Sequence, residues 1–554
     1  MFCDRPFAFL PQMSVSAPIE LDADSLERVL QLVSDSGLLR AAHTARLVDK
    51  SWNQAVNSRT HRLREASNNG GSADLSALLQ KTPNLSSLDI AYSSITPAAC
   101  RQLYQLQLKE LCIADCTELE PSDLAYVRHL TRLQVLKLSH IRSGASAVLE
   151  SCANLRRLHT LELRDFKSID EKLFAKLTPL TKLKTLAVVA EDISNATLRS
   201  LSMHLLPSCA PNLTSLELGK VESTYPLAAL RELSQLQVLS LTNCKLFLKP
   251  DNTGHDLLVE VAHLTQLSSL SLRQFATQSV HSAQLHQDMR QLKGLRCLHV
   301  EQGRARGFIE GLTALTGLDE LVLLDELTEI QSRNVLNELL LSLFHLTCLE
   351  LSVRGDVLVE GFRLFRHLPF LQKLKFAGPH SFDTKGVSNL FWGLTSLTGT
   401  VTSLSLRGAK FSAAIQGRYR TGAGASVHDL DLGEFPVHSL QVFANVFPEA
   451  RSLCLILVCF QQLPLQSWTK LTHLSIDWQP HMFSIDSDCP LAMCESLSKL
   501  PLLRRLTVEC PASSVLGTNP FATVASKHQD MLRLLPGVDV IVVQYGSDLV
   551  MLSS

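Results

Sequence analysis

From Leu85 onward the apolar positions of this chain recur in a fixed motif. It first appears as Leu85-Ser-Ser-Leu88-Asp-Ile90, apolar at positions 1, 4 and 6. Further copies start at Leu108, Leu133, Leu158, Leu183, Leu213, Leu236, Leu267, Leu295, Leu318, Leu346 and Leu371. Weaker ones start at Val401, Val427, Ala450, Leu471, Leu503 and Leu535. The 18 starts have a mean spacing of about 26 residues, the period of a stacked repeat array. Positions 4 and 6 alternate as in a strand, so Leu136 and Leu138 face inward while Val135, Lys137 and Ser139 face out. A variable stretch follows each strand, and then an amphipathic piece such as Asp123–Leu130 or Glu171–Leu177, which predicts a helix on the opposite side of the coil. One unit cannot bury its own leucines, whereas stacked units share a continuous core with a parallel sheet along one face. At about 4.8 Å between strands, 18 of them extend roughly 80 Å along the sheet.

This pattern resembles the leucine-rich-repeat family over roughly residues 73–545. The fold class it implies is an α/β solenoid, a horseshoe of about 18 irregular repeats with the parallel sheet on its concave face. The family places Asn or Cys at position 9, where the side chain satisfies backbone groups at the turn. Cys116 and Cys244 fit, and Ser93 substitutes, but Ile141, Phe166, Phe275 and Arg354 depart from it. The departures predict phenylalanines packed as an apolar spine where a polar ladder would run. In this the chain resembles the irregular cysteine-containing and plant-like repeats more than the ribonuclease-inhibitor type. The stretch Phe411–Val427, with Gly417, Gly422 and Gly424, reads as a long excursion between repeats; no GK[ST] follows it, so it is not a phosphate loop.

The segment before the repeats has a different rhythm. Leu26, Val29, Leu30 and Val33 fall on one helical face, with Asp24 and Glu27 placed as N-cap and N3 partner. Gly37 interrupts, Leu38–Ala45 forms a second apolar piece, and Val48, Trp52 and Val56 mark a third. Three short helices in about 45 residues resemble an F-box. Leu21, Asp24, Leu26, Arg28, Val29 and Leu30 match the opening of that motif, and Arg46, Leu47, Val48 and Trp52 match its close. Asp22 stands where the family carries a proline, and the joint around Ser34–Gly37 is a few residues longer than usual. A plainer reading of the same helices is a cap over the leucines of the first coil. The division expected is a tail at 1–18, the F-box-like module at 19–65, a linker at 66–72, the solenoid at 73–545 and a tail at 546–554.

Composition narrows the chemistry. Leucine supplies 106 of 554 residues, a bias that repetition accounts for. Basic and acidic residues number 52 and 53, so no overall field draws the chain to nucleic acid or anionic lipid. The longest apolar run, Leu453–Phe460, is far short of the roughly 20 residues that span a bilayer, and Phe7–Leu10 is too short for a secretory core, which points to an intracellular protein of cytoplasm or nucleus. The 14 cysteines include no CxxC pair; Cys112/Cys116, Cys454/Cys459 and Cys489/Cys494 lack zinc-finger spacing and His partners. They read as reduced thiols serving as small hydrophobes. There is no HExxH, no GxSxG and no supported acidic pair, so no catalytic residue, metal site or cofactor site is expected.

Binding chemistry is read from positions 3, 5 and 7, which line the concave sheet. Thr185, Ala187, Ser215, Gly219, Ser240 and Thr242 make a small, neutral stretch. Glu301, Glu320 and Glu350 then give an acidic stripe, Lys373, Lys375 and Arg407 a basic spot, and Asp429 and Asp431 a second acidic one. Such a sequence of charges selects a partner of complementary pattern.

An F-box followed by leucine-rich repeats implies the substrate-recognition subunit of an SCF-type cullin–RING ubiquitin ligase. By that resemblance Leu21, Leu26, Val29, Leu30, Val48 and Trp52 would dock on a Skp-type adaptor, and the concave face would hold an unidentified protein substrate. Neither nucleic acid nor membrane is expected as a partner. The alternative is a leucine-rich-repeat scaffold unconnected with ubiquitin, cytoskeletal or axonemal, whose amino-terminal helices are an end cap.

Overall fold

The structure, a computed structural model, describes residues 62–66, 550–552 and, between 79 and 545, the strands with most of the turns and helices that lead into them. The repeat leucines form one 20-stranded sheet. Neighbouring strands pair in parallel and in chain order, as in Leu111↔Leu136, Leu136↔Leu161 and Leu161↔Leu186. Like positions therefore stack on like, and Leu133, Leu136 and Leu138 are each at most 1% exposed. Every such leucine contributes about 1.5–3 kcal/mol of burial, and it does so only because its neighbours in the next coils are also leucine.

Hydrogen bonding explains why the coils stay in step. The carbonyl at position 2 of one coil accepts two N–H groups from the next. Lys109 O takes Gln134 N and Val135 N at 2.7 and 3.0 Å, and Gln134 O takes His159 N and Thr160 N at 2.8 and 3.0 Å. At the far end of the strand the chain turns through position 8. Asp115, His140, Asp165, Asn243 and Gln274 all stand there with φ between +49° and +57°. Asp, Asn and His tolerate that left-handed conformation better than most residues. It lets the position-8 N–H reach the next coil, as Asn243 N does to Arg273 O (2.7 Å) and Gln274 N to Glu301 O (2.7 Å).

A third buried row lies upstream of each strand. Apolar residues three and six before the first leucine are sequestered, as with Val127 and Leu130, Cys152 and Leu155, Leu177 and Leu180, and Leu230 and Leu233. Tight turns link them: Leu155 N bonds to Cys152 O and Leu158 N to Leu155 O. The back of the coil varies with its length. Ala125–His129 is a 3₁₀ helix and Glu171–Lys176 an α-helix, both within the stretches expected to be helical. The 30-residue step from Leu183 to Leu213 contains a π turn, Leu201–Leu205, that absorbs extra length before Leu206–Cys209. The 28-residue step from Leu318 to Leu346 holds Arg333–Ser342, and the longer steps after Leu471 and Leu503 hold Cys489–Leu497 and Pro520–Leu534.

Three features differ from expectation. A strand at Arg62–Ala66 pairs in register with Ser87–Ala91, so the sheet starts within the stretch read as helical module and linker. At the other end Val550–Leu552 turns back antiparallel on Asp539–Tyr545, within the stretch read as a tail. The last repeat also sits two residues later than the motif beginning at Leu535. Val540, not Val538, pairs with Leu506, and Val542 pairs with Val508. Gly537, at φ +80°, makes the turn that inserts the extra residues, while Leu535 remains buried. Of the position-9 residues, Phe166 is 1% exposed and contributes to the core, and the others named above lie outside the described residues. So do residues 412–425 of the excursion, although Ala409–Phe411 ahead of it pairs with His380–Phe382 in a small second sheet.

Candidate binding face

The concave face is set by strand alternation alone. Because the sheet is in register, residues at positions 3 and 5 form two long rows. One runs Glu320↔Cys348↔Lys373↔Ser403↔Asp429 and the other Val322↔Glu350↔Lys375↔Ser405↔Asp431. The charged residues expected to define a binding surface are thus side by side, but most are engaged with one another. Lys375 Nζ lies 2.8 Å from Glu350 Oε1. Arg273 Nε lies 3.4 Å from Glu301 Oε2. Arg407 reaches past two strands to Asp477, with Nη2 donating to Oδ2 at 3.0 Å, and Asp477 is only 4% exposed. Asp431 accepts a hydrogen bond from Ser405 Oγ at 2.8 Å through Oδ2, while its Oδ1 is sealed from solvent with no hydrogen-bond partner. Lys373 and Asp429 are exposed, and Glu320 is half-buried between Cys297 and Cys348.

The stretch read as neutral is not neutral. Arg164 donates two hydrogen bonds to Glu217, Nη1 to Oε1 at 2.7 Å and Nη2 to Oε2 at 2.6 Å. Glu162 sits 3.3 Å from Arg164 Nε and 2.7 Å from Lys137 Nζ, which makes a four-residue chain of alternating charge. The Arg164–Glu217 fork crosses the intervening strand over Ala187, which is 2% exposed. That crossing needs small residues beneath it. Beside Ala187, Val189 leans on Gly219, where any Cβ would meet Val189 Cγ1 at 2.6 Å. The hydrogen bonds to Glu217 hold the Arg164 guanidinium above its ordinary pKa. Positions 5 and 7 carry Glu162, Arg164, Glu217 and Asp477, a signal present in the sequence at the same spacing as the charges read from it.

His299 is the one histidine among the described residues whose Nε2 is closed off from solvent without a hydrogen bond, with Glu301 Oε2 no nearer than 3.9 Å. Burial, reinforced by Arg273, lowers its pKa below 6.5, so the ring is neutral at pH 7. The cysteines facing or underlying the sheet are held as thiols. Burial pushes Cys152, Cys209, Cys494 and Cys510 up to about 12 and Cys112 up to about 11, and burial with Asp431 takes Cys454 to about 12. Such groups are poor nucleophiles and poor metal ligands at neutral pH. Among the described residues no three His, Cys, Asp or Glu side chains converge to hold a metal ion, and no helix is long and apolar enough to cross a membrane. Leu21, Leu26, Val29, Leu30, Val48 and Trp52 lie outside the described residues. What the face offers chemically is a row of pre-ordered charges and hydroxyls, suited to non-covalent contact.

No family model matches the sequence, and no curated protein matches it. Among solved structures the chain is similar to a leucine-rich-repeat protein of Leptospira interrogans, at 15% identity and a TM-score of 0.33 over 86% of this chain and 93% of that one. It is similar to the functional domain of InlJ from Listeria monocytogenes, which includes a cysteine ladder, at 17% identity and 0.33 over 79% and 76%. It is also similar to TLR13 in its complex with ssRNA13, at 18% identity and 0.35 over 78% of this chain and 58% of that one. Strand register, the shared position-2 carbonyls and the buried leucine rows place the chain itself in the leucine-rich-repeat fold.

Proposed function

We propose that this chain is a protein-binding repeat scaffold whose concave face holds a partner protein, and that it serves as the substrate-recognition subunit of an SCF-type cullin–RING ubiquitin ligase. The observation that carries the first part is the concave charge array. Glu350–Lys375 and Arg407–Asp477 are held in defined geometry by neighbouring strands, so a partner with complementary charges meets a surface already ordered. The second part rests on the amino-terminal pattern, Leu21, Leu26, Val29 and Leu30 followed by Val48 and Trp52, which resembles an F-box that docks on a Skp-type adaptor. In this role the chain supplies proximity between substrate and ligase, and the ubiquitin chemistry belongs to other subunits.

The test is a pull-down of the full-length chain with the Skp-type adaptor. A parallel truncation would end ahead of the Arg62–Ala66 strand, so that the sheet keeps its first member. Adaptor binding by the full chain, lost on truncation with circular dichroism of the sheet retained, is the expected result. Folded full-length protein that fails to bind would overturn the ligase reading and leave the scaffold, with the amino-terminal helices acting as an end cap.

A further inference from the structure

The edge where each coil turns into its strand carries a second pattern, separate from the concave face. The residue after the first leucine stacks on its counterpart in the neighbouring coil: Gln134 N donates to Lys109 O, His159 N to Gln134 O and Lys184 N to His159 O. In five later repeats this residue is a hydroxyl that donates back to the preceding carbonyl. Thr214 does so to Lys184 O at 3.2 Å, Ser268 to Gln237 O at 3.0 Å and Thr347 to Asp319 O at 3.0 Å. Thr402 and Thr472 do the same, to Gln372 O and Arg451 O, at 3.4 and 2.9 Å. In the four repeats from Leu108 to Leu183 the position is instead Lys109, Gln134, His159 and Lys184.

The residue before the same leucine follows suit. It is Arg132, Arg157 and Lys182 in three consecutive coils, with Arg156 alongside. The row closes at Asn212, whose side-chain amide donates to Thr181 O at 2.9 Å. Lys109, Arg132, Arg156, Arg157, Lys182 and Lys184 are all exposed, and none of them forms an ion pair among the described residues. No Asp or Glu occupies either position in these coils. Like charges at the same place in the turns of successive coils repel, so the arrangement works against the fold's own stability. Of the large apolar side chains exposed among the described residues, Phe370 and Leu502 hold the place before the first leucine in their own coils, and none does so in these four. In these four coils the only ring in the two rows is the half-buried His159, and no apolar side chain stands there to enter a bilayer.

We propose that this basic edge is a docking surface for an acidic segment of a partner protein, laid across the four coils that start at Leu108, Leu133, Leu158 and Leu183. Carboxylates of the segment would meet Arg132, Arg157 and Lys182 on one row and Lys109 and Lys184 on the other. The surface is separate from the concave face, and this inference stands whether or not the ligase reading does.

Fluorescence anisotropy of a labelled poly-glutamate peptide with the full-length chain tests it. Wild-type protein is expected to bind, more weakly as salt rises. The triple variant R132E/R157E/K182E is expected to lose affinity by about tenfold or more, because each attraction becomes a repulsion. R132Q/R157Q/K182Q should fall between, with circular dichroism unchanged in both since the side chains are exposed. K293E/K499E, at exposed lysines of other coils, is the control and should leave the affinity unaltered. Absence of wild-type binding, an equal loss in the control, or tighter binding of single-stranded RNA or of phosphatidylserine vesicles than of poly-glutamate would overturn the proposal.

Discussion

Arg164 and Glu217, two coils apart, are joined by a bidentate ion pair that passes over the strand between them. The pair ties three coils together on the concave side, where backbone bonds tie only two. Replacing Glu217 with Gln, or Arg164 with Met, is expected to lower stability by about 1 kcal/mol, the upper end for a partly exposed pair. A double-mutant cycle followed by urea unfolding checks it; a coupling energy indistinguishable from zero would show that the fork is ornamental to stability.

Gly219 is a packing requirement of the same region. A Cβ there would lie 2.6 Å from Val189 Cγ1, so Gly219→Ala is expected to destabilise by about 1–3 kcal/mol through overpacking. Adding Val189→Ala should recover a good part of the loss, since it removes the clashing methyl. If the double variant melts no higher than Gly219→Ala alone, steric conflict with Val189 is not the cause.

Trp468 is fully buried, and its indole N–H donates to the carbonyl of Phe447 in the preceding coil at 3.1 Å. Trp468→Phe keeps a ring but removes that hydrogen bond and leaves the carbonyl with the N–H of Ala450 alone (3.3 Å), for an expected loss of about 0.5–1.5 kcal/mol. Trp468→Ala adds a cavity and should cost about 3–5 kcal/mol. Chemical denaturation of both variants separates the hydrogen bond from the packing.

His299 has a pH signature. Its folded pKa lies below 6.5, so as pH falls through 6.5 the unfolded chain takes up a proton that the folded chain refuses. The contribution of this ring to stability is present above pH 6.5 and declines below it, levelling off once the folded ring also protonates. His299→Gln should flatten that part of the stability–pH curve measured by thermal melts. A variant whose curve parallels wild type between neutral and mildly acid pH would exclude the ring as the titrating group.

Much of this fold could be read from leucine spacing because position decides burial in a stacked coil. Leu136, Leu161 and Leu186 occupy the same place in successive strands, and each has 0% exposure. The upstream row was not legible. Val127, Cys152 and Met289 share a place in the coil yet differ in type, since a turn core accepts any apolar side chain of fitting volume. The last repeat misled for a related reason: Val538, Val540 and Val542 satisfy the motif in two registers, and only pairing with Leu506 and Val508 selects between them. On the concave face the expected charges do line up, but their mutual neutralisation depends on side-chain reach, as with Arg407 and Asp477 three repeats apart, and position alone does not encode reach.

The reversed strand Val550–Leu552 bears on self-association. A parallel sheet of this length is a template, and its last parallel strand, Asp539–Tyr545, is rich in valine, the composition that recruits further strands. By folding back over Val542, Val543 and Gln544 in the opposite direction, the three-residue strand spends those hydrogen-bonding groups internally. Another strand arriving in parallel register finds those three positions already taken.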